Sequence, residues 1–280
     1  MITGRHRRVT RPLQYLALGA FMVFLAFPVV YLLITALKPQ SELLDPEPSF
    51  LPKSFEWSNF TEAIDKTRFW TTARNSAVVA TVTMLVTIVL AMPAAYALAR
   101  FRTKLRGLAT GWILLSQVFP FILIIIPLFM VLRDLELIDT LVGLVAVYTV
   151  WSLPFALWML RGYIAGIPSD LEEAGAMDGA SRFTVLRKII LPLLAPGLVA
   201  TALFTFISSW NEFFFALVLI QSPERETLPL TLANFVGAEG QVALGQLAAA
   251  SLLAAIPSLA FFAVIQRRLT SGLLSGAVKG

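Results

Sequence analysis

Long apolar blocks separated by short polar stretches dominate the chain from residue 13 onward. A transmembrane helix needs about 20 mostly apolar residues to cross about 30 Å of hydrocarbon. The blocks that meet this length lie at residues 13–37, 76–98, 108–132, 141–160, 196–220 and 244–266. The pattern therefore predicts an all-α membrane protein with one domain of six transmembrane helices, which covers residues 13–266.

Prolines interrupt most of these blocks. They are Pro28, Pro93, Pro120, Pro127, Pro154 and Pro257. Each removes a backbone donor and would kink an isolated helix, but neighbouring helices in a membrane bundle can satisfy the freed carbonyls. Several prolines together favour a bundle that encloses a cavity over a simple membrane anchor.

Composition supports a membrane protein and excludes several kinds of chemistry. Hydrophobic residues make up 58% of the 280 residues and charged residues 14%, whereas about a quarter of a soluble domain is charged. Cysteine is absent, and His6 in the basic N-terminal stretch is the one histidine, so no thiolate or histidine metal site is predicted. No Gly-Lys pair forms a phosphate-binding P-loop. We therefore expect no enzyme and no cofactor bound by this chain.

Basic residues are unevenly distributed among the connections. If the N-terminus is cytoplasmic, 15 of the 22 lysines and arginines fall on the inner side, as the positive-inside rule requires. We therefore predict a multi-pass membrane protein with a basic cytoplasmic tail at residues 1–12 and a cytoplasmic C-terminal tail at 267–280. The net charge of +5 reflects this inner surface, an explanation we favour over a nucleic-acid-binding patch.

The cytoplasmic loop at residues 161–195 is long for a bundle connection. Ser169 and Glu172 have the spacing of a capping box, which predicts a short helix from about Asp170 to Met177. Gly179 is expected to break this helix.

A second short helix is predicted directly after this turn. Ser181 can cap it, and Pro192 is expected to end it. The loop therefore forms a helix-turn-helix on the inner membrane surface.

Three segments of this loop resemble the EAA motif of ABC importer permeases: Glu173-Ala174-Gly175, Asp178-Gly179-Ala180-Ser181 and Ile189-Ile190-Leu191-Pro192. The resemblance implies a coupling helix that docks into a groove of a separate ATPase, with Glu173 forming an ion pair there and Gly179 making the turn. The implied coupling residues are Glu172, Glu173, Ala174, Asp178, Gly179 and Ala180. Gly175 departs from the usual second alanine, which would weaken the helix by about 1 kcal/mol.

Two further segments narrow the resemblance. Trp210-Asn211-Glu212-Phe213 is similar to a signature of carbohydrate-uptake permeases of the MalG type, and the C-terminal segment from Arg268 to Gly280 is similar to the tail of such subunits. The resemblance implies the type I importer fold. It also implies that Gly276, Val278 and Lys279 extend toward the ATPase interface.

The fifth block carries a polar stripe. Thr201, Thr205, Ser208 and Glu212 are spaced to share one helical face. An ionisable side chain within the membrane usually faces a partner or a water-filled pathway, and a structural bond from Glu212 to a neighbouring helix is an equal alternative. The candidate translocation residues are Gln117, Ser208, Trp210, Asn211 and Glu212.

The resemblance implies a permease of the bacterial inner membrane that imports a di- or oligosaccharide or a related carbohydrate by alternating access. Its implied partners are a MalF-like second permease, an ATPase homodimer that holds ATP and Mg²⁺, and an extracytoplasmic solute-binding protein that meets the outer loops 38–75 or 221–243. An ABC permease for glycerol-3-phosphate or another solute is an open alternative. So is a gradient-driven carrier that uses Glu212 as its proton site.

Overall fold

The computed structural model describes residues 4–47, 49–101, 105–235 and 242–277, and the regular elements of these residues are helical. In chain order they are α1 (Gly4–Ala36), α2 (Gln40–Leu43), α3 (Ser58–Lys66), α4 (Phe69–Arg100), α5 (Leu105–Val118), α6 (Ile125–Asp134), α7 (Leu141–Ala165), α8 (Asp170–Met177), α9 (Arg182–Val185), α10 (Leu191–Trp210), α11 (Phe214–Leu219), α12 (Leu228–Leu232) and α13 (Leu244–Ala277). The predicted all-α class is confirmed.

Five helical segments are long and apolar enough to cross a membrane. They are Leu13–Ala36, Phe69–Arg100, Leu141–Ala165, Arg182–Trp210 and Leu244–Val264. Each overlaps one of the predicted blocks, and most extend beyond the predicted limits, because a helix continues past its apolar part into the polar boundary of the membrane.

The third predicted block, 108–132, is not one helix. α5 ends at Val118, a single 3-10 turn covers Phe121–Leu123, and α6 begins at Ile125. Pro120 lies in the gap, and a proline disfavours helical backbone at the residue before it. Hydropathy alone could not locate this break, because both halves are equally apolar.

The fifth predicted block, 196–220, is also divided. α10 ends at Trp210 and α11 begins at Phe214. At its other end, α9 continues into α10 through one π-helical turn, Leu186–Ile190. The prediction that Pro192 ends the second short helix is therefore wrong. A π-turn shifts the hydrogen-bond pattern, which lets a helix continue past a proline that has no amide to donate.

Helix extends into both predicted tails. α1 begins at Gly4, within residues 1–12, and α13 continues to Ala277, within residues 267–280. The membrane helices and these terminal segments are thus continuous over the described residues.

The described chain forms two compact units, and the larger comprises residues 70–231 and 256–280. Within it, α4 buries a narrow face of small and hydroxyl side chains that includes Thr72, Thr83, Thr87 and Ala91. Small residues let helices approach closely in a membrane. α7 and α10 show such an approach, since a Cβ added at Gly197 would lie 2.5 Å from the Tyr163 ring.

The smaller unit comprises residues 1–69 and 232–255. Its core contains Ala36, Ala63 and Phe235 together with three consecutive alanines of α13. The buried Asn59 amide donates to the backbone oxygens of Ala36 (3.0 Å) and Lys38 (2.8 Å). Asn59 thereby satisfies the carbonyls at the end of α1, which would otherwise be unpaired.

Candidate coupling and translocation sites

The loop that follows α7 folds into the predicted helix-turn-helix. α8 spans the predicted residues, Asp170–Met177. Gly179 has a φ of +79°, and the Ala180 amide donates back to the Gly175 oxygen at 3.0 Å. This is the Schellman termination, in which glycine is favoured at the left-handed position. The Ser181 hydroxyl accepts from the Thr184 amide at 3.3 Å, so the predicted second cap is confirmed.

The predicted capping box does not form. Ser169 itself has helical backbone angles, and its side chain makes no cap hydrogen bond. The Glu172 carboxylate instead accepts from Arg100 Nε and, at 2.7 Å, from the Tyr96 hydroxyl. Arg100 also donates through Nη2 to the Ile167 oxygen at 2.8 Å. Two side chains of α4 therefore bind the Glu172 carboxylate, which the capping-box pattern predicts to bind a backbone amide at the start of α8.

We call Arg100 and Glu172 the anchor pair, because they join the last residue of α4 to the first turn of α8. Each side chain is only 16% exposed. A charge-assisted bond at low exposure is stronger than a surface ion pair. The anchor pair therefore fixes α8 relative to α4, which crosses the membrane.

The other side of α8 is exposed. Glu173 and Ala174 are exposed, and Met177 is 89% exposed. Among the residues that the structure describes, Glu173 forms no ion pair. The two adjacent glutamates thus differ: Glu172 is bound within the chain, and Glu173 is available to a partner.

The remaining predicted coupling residues lie at the turn. Asp178 and Gly179 are exposed, and Ala180 is half-buried. Ala180 lines a pocket of about 230 Å³ together with Tyr96, Arg182 and the anchor pair. The predicted coupling residues therefore lie together on α8 and the turn after it. Glu172 is the one among them that belongs to the anchor pair.

Gly175 has a packing role that the sequence did not show. It is buried, and a Cβ there would lie 2.8 Å from Ile189 Cδ1 and 3.3 Å from Val185 Cγ2. The departure from alanine thus allows α8 to pack closely against the segment that follows α9. The expectation of a merely looser helix was incomplete, because it considered propensity without this contact.

The predicted translocation residues around Trp210 form a helix break. The Asn211 amide donates to the Ile207 oxygen at 2.9 Å. The Glu212 carboxylate accepts from the backbone amides of Phe215 (2.9 Å) and Ala216 (3.3 Å), and so caps α11. Glu212 therefore lies beyond the end of α10, off the predicted polar stripe. Trp210 is only 2% exposed and stacks on Phe206.

Gln117 lies at a different place from Glu212. It lines an apolar cavity of about 240 Å³ together with Ser116, Trp151, Pro154 and Phe215. This cavity adjoins the break between α5 and α6. Ser208, Trp210, Asn211 and Glu212 are not among its lining residues. Ser208 and Trp210 belong to α10, and Asn211 and Glu212 lie in the break that follows it.

The predicted C-terminal contacts fall at the limit of the structure. Gly276 belongs to α13, and Val278 and Lys279 lie outside the described residues.

The connection between α6 and α7 holds the outer loop in place. Asp139 accepts hydrogen bonds from the backbone amides of Gln221 (3.0 Å) and Ser222 (2.9 Å) and from the Arg225 guanidinium (2.8 Å). Partial burial alone would raise the pKa of Asp139, but the hydrogen bonds from Ser222 and Gln221 and the charge of Arg225 outweigh it and lower that pKa to about 2. Asp139 thus clamps residues 221–225.

Asp139→Asn should loosen this loop. Asparagine tolerates the left-handed φ of 56° at this position and keeps an acceptor, so the change removes mainly the charge. We expect hydrogen exchange at Gln221 and Ser222 to accelerate about fivefold, the effect of roughly 1 kcal/mol. Arg225→Gln should accelerate exchange less in the D139N background than in the native chain, because only its bond to the Asp139 backbone oxygen then remains to be lost. Full additivity of the two changes would contradict the clamp.

The lowered pKa of Asp139 also predicts the pH range of the clamp. A carboxylate with a lowered pKa contributes stability that is complete above its ordinary value of 3.8 and is lost as pH falls toward 2. Exchange at these amides, corrected for intrinsic rates, should therefore be constant between about pH 5 and 8.

Sequence reasoning missed Arg100 and Tyr96 as part of the coupling site. Arg100 was counted only as one of the inner basic residues. Its partner Glu172 lies 72 residues further along the chain, and Tyr96 lies 76 residues from Glu172. The sequence offers one signal for this contact. Glu172 and Glu173 are adjacent, and the predicted ion pair with the ATPase uses only Glu173, which leaves Glu172 for a partner within the chain.

Similarity to known protein families identifies the class of protein to which this chain belongs. The family model described as "Binding-protein-dependent transport system inner membrane component" matches residues 87–271. The chain belongs to this family and is a membrane-embedded transport subunit, an ABC importer permease.

Individual relatives agree with this assignment. The putative ABC transporter permease protein ORF1 of Streptomyces antibioticus is 56% identical over 229 residues, which are 82% of this chain and 100% of the relative. The diacetylchitobiose uptake system permease protein DasC of Streptomyces coelicolor is 39% identical over 257 residues, 91% of this chain and 92% of the relative. A bacterial ABC transporter that imports the acidic polysaccharide alginate contains a chain with the same fold, with a TM-score of 0.77, 24% identity and coverage of 95% and 99%.

Proposed function

We propose that this permease forms half of a translocation pore for a di- or oligosaccharide or a related carbohydrate, and that α8 couples the pore to a separate ATPase. One observation carries the proposal. The anchor pair holds α8 to a membrane-crossing helix, while Glu173 and Met177 on the same helix remain exposed. Force applied to the exposed side of α8 would thus reach α4 directly.

A named relative supports a carbohydrate as the solute. DasC is named for diacetylchitobiose uptake. The cavity beside Gln117 is lined by Ser116, Trp151 and apolar side chains, without a charged residue. Aromatic and amide groups suit a neutral sugar, whereas glycerol-3-phosphate would favour basic residues.

The proposed assembly has three further components. A MalF-like permease completes the pore, an ATPase homodimer binds ATP and Mg²⁺, and an extracytoplasmic binding protein delivers the solute. In this assembly both termini and α8 face the cytoplasm, while the loop clamped by Asp139 faces outward. This chain itself binds no cofactor.

Glu173→Ala tests the proposal in proteoliposomes that contain the chain with its second permease, ATPase and binding protein. Loss of one charge-assisted bond at an interface costs roughly 2 kcal/mol. We expect sugar-stimulated ATP hydrolysis to fall at least tenfold. Asp134→Asn, which changes an exposed carboxylate outside α8 and outside both outer loops, should leave stimulation unchanged.

Transport that continues without an ATPase would contradict the proposal and favour a gradient-driven carrier. Stimulation by glycerol-3-phosphate instead of sugars would keep the coupling role and replace the solute.

A further inference from the structure

A cavity that neither α8 nor Gln117 lines lies between α5 and α7. It has a volume of about 560 Å³ and is lined by Arg106, Trp158, Arg161 and Tyr163, with Met159, Gly162 and Ala165. This volume is within the range of about 300–1,000 Å³ typical of small-ligand sites. Its lining residues thus include two arginines, a tryptophan and a tyrosine, and none of the described lining residues is acidic.

Hydrogen bonds hold the Arg161 side chain in place before any ligand binds. Arg161 of α7 donates through Nη1 to the Thr110 hydroxyl of α5 at 3.1 Å. That hydroxyl donates to the Arg106 backbone oxygen at 2.8 Å. The chain of bonds fixes the side chain of Arg161 against the first turns of α5. A guanidinium has five N–H donors, so Arg161 keeps most of them for a ligand.

The positive charge of the cavity lacks an internal counter-charge. Neither Arg106 nor Arg161 forms an ion pair with any residue that the structure describes. Both side chains are half-buried, so bulk water screens their charge only partly. Arg106 also lies in the first turn of α5, where the helix dipole favours an anion. The site thus suits a phosphate group, which guanidinium groups bind in a bidentate manner.

The position of the cavity favours a lipid over a soluble anion. Its α7 residues, 158–165, form the last two turns of a membrane-crossing helix, at the depth where tryptophan and tyrosine meet lipid headgroups. Trp158 is 56% exposed and Tyr163 41% exposed. On α5, Leu108 and Trp112 are more than 70% exposed and offer apolar surface for acyl chains.

From these observations we infer that the cavity between the first turn of α5 and the last turns of α7 binds the phosphate headgroup of an anionic phospholipid. Basic pockets between transmembrane helices are a known form of headgroup site. A bound lipid would bridge α5 and α7. This inference does not depend on the solute or on the coupling role of α8.

Native mass spectrometry of the full transporter, purified with phosphatidylglycerol or with phosphatidylcholine, tests the inference. We expect phosphatidylglycerol to stay bound to the native complex and its retention to fall about tenfold in Arg161→Gln, the effect of losing one bidentate contact. Arg161→Lys should retain part of the binding. Arg133→Gln removes an exposed arginine on α6 that does not line the cavity, and it should have no effect.

A thermal assay covers the case in which a variant assembles poorly. Phosphatidylglycerol should raise the Tm of the native complex more than phosphatidylcholine does, and Arg106→Gln should abolish the difference. Equal retention of the two lipids, or retention unchanged by both arginine variants, would overturn the inference. Displacement of phosphatidylglycerol by millimolar inorganic phosphate would show that a soluble anion is the ligand and would also overturn it.

Discussion

Replacing Arg100 with methionine should uncouple the transporter while α4 and α8 themselves stay folded. The change leaves Glu172, a carboxylate that is 16% exposed in the native chain, with the Tyr96 hydroxyl as its hydrogen-bond donor among the described side chains. Removing one member of a buried ion pair costs about 3–5 kcal/mol. Near the lower end of that range the equilibrium ratio of anchored to released α8 would fall more than a hundredfold. Sugar-stimulated ATP hydrolysis should fall with it, and hydrogen exchange at residues 169–180 should rise.

A double variant distinguishes an anchoring role of Glu172 from a direct contact with the ATPase. Arg100→Met combined with Glu172→Leu removes both charges and leaves apolar groups of similar size, an exchange that is often neutral or stabilising. We therefore expect the double variant to recover most of the protection of α8 and part of the coupling. If Glu172 acted by contacting the ATPase, the double variant would be at least as defective as Arg100→Met. That outcome would refute the anchor role.

Glu172 and Glu173 show which features of α8 could be predicted from the sequence and which could not. The limits of the helix, the turn at Gly179 and the cap at Ser181 follow from local chemistry, and the structure has all of them. The capping box was equally plausible locally, but it failed. A guanidinium and a phenol from α4 offer stronger bonds to Glu172 than one backbone amide does.

The membrane helices show a second limit. Apolar length predicted where the chain crosses the membrane, because the cost of burying polar groups in lipid acts on whole segments. It could not predict that blocks 108–132 and 196–220 are divided, since the breaks at Pro120 and at Asn211–Phe213 interrupt hydrogen bonding without interrupting hydrophobicity. These breaks matter for function, because the cavity beside Gln117 adjoins one and Phe215, which follows the other, helps to line it.

Gly175 and Pro192 illustrate the same point on a smaller scale. Propensity treats glycine as a weak helix former and proline as a helix breaker. In the structure, Gly175 allows a close contact with Ile189, and a π-turn carries the helix past Pro192. Both outcomes depend on neighbours that the local sequence does not identify.

Glu212→Ala should destabilise the assembled permease more than it changes solute recognition. The variant would leave the Phe215 and Ala216 amides without their acceptor, in a part of the chain where those residues are buried. An unpaired amide costs about 1–3 kcal/mol in a protein interior and more in lipid. We expect a loss of roughly 2–4 kcal/mol, measured as a lower Tm and lower yield of the complex in mild detergent.

Glu212→Gln separates the structural role from a role in the pathway, because its amide oxygen can still cap α11 but carries no charge. If Glu212 is a cap, the Gln variant should recover most of the Tm, and the sugar concentration that gives half-maximal ATP hydrolysis should stay within about twofold of the native value. Asn211→Ala, which removes a single bond to the Ile207 oxygen, should show a smaller loss of Tm. A Gln variant with native Tm but a shift of tenfold or more in that concentration would instead place Glu212 in contact with the solute or its coupling ion. The cap would then be secondary, and the gradient-driven mechanism would regain support.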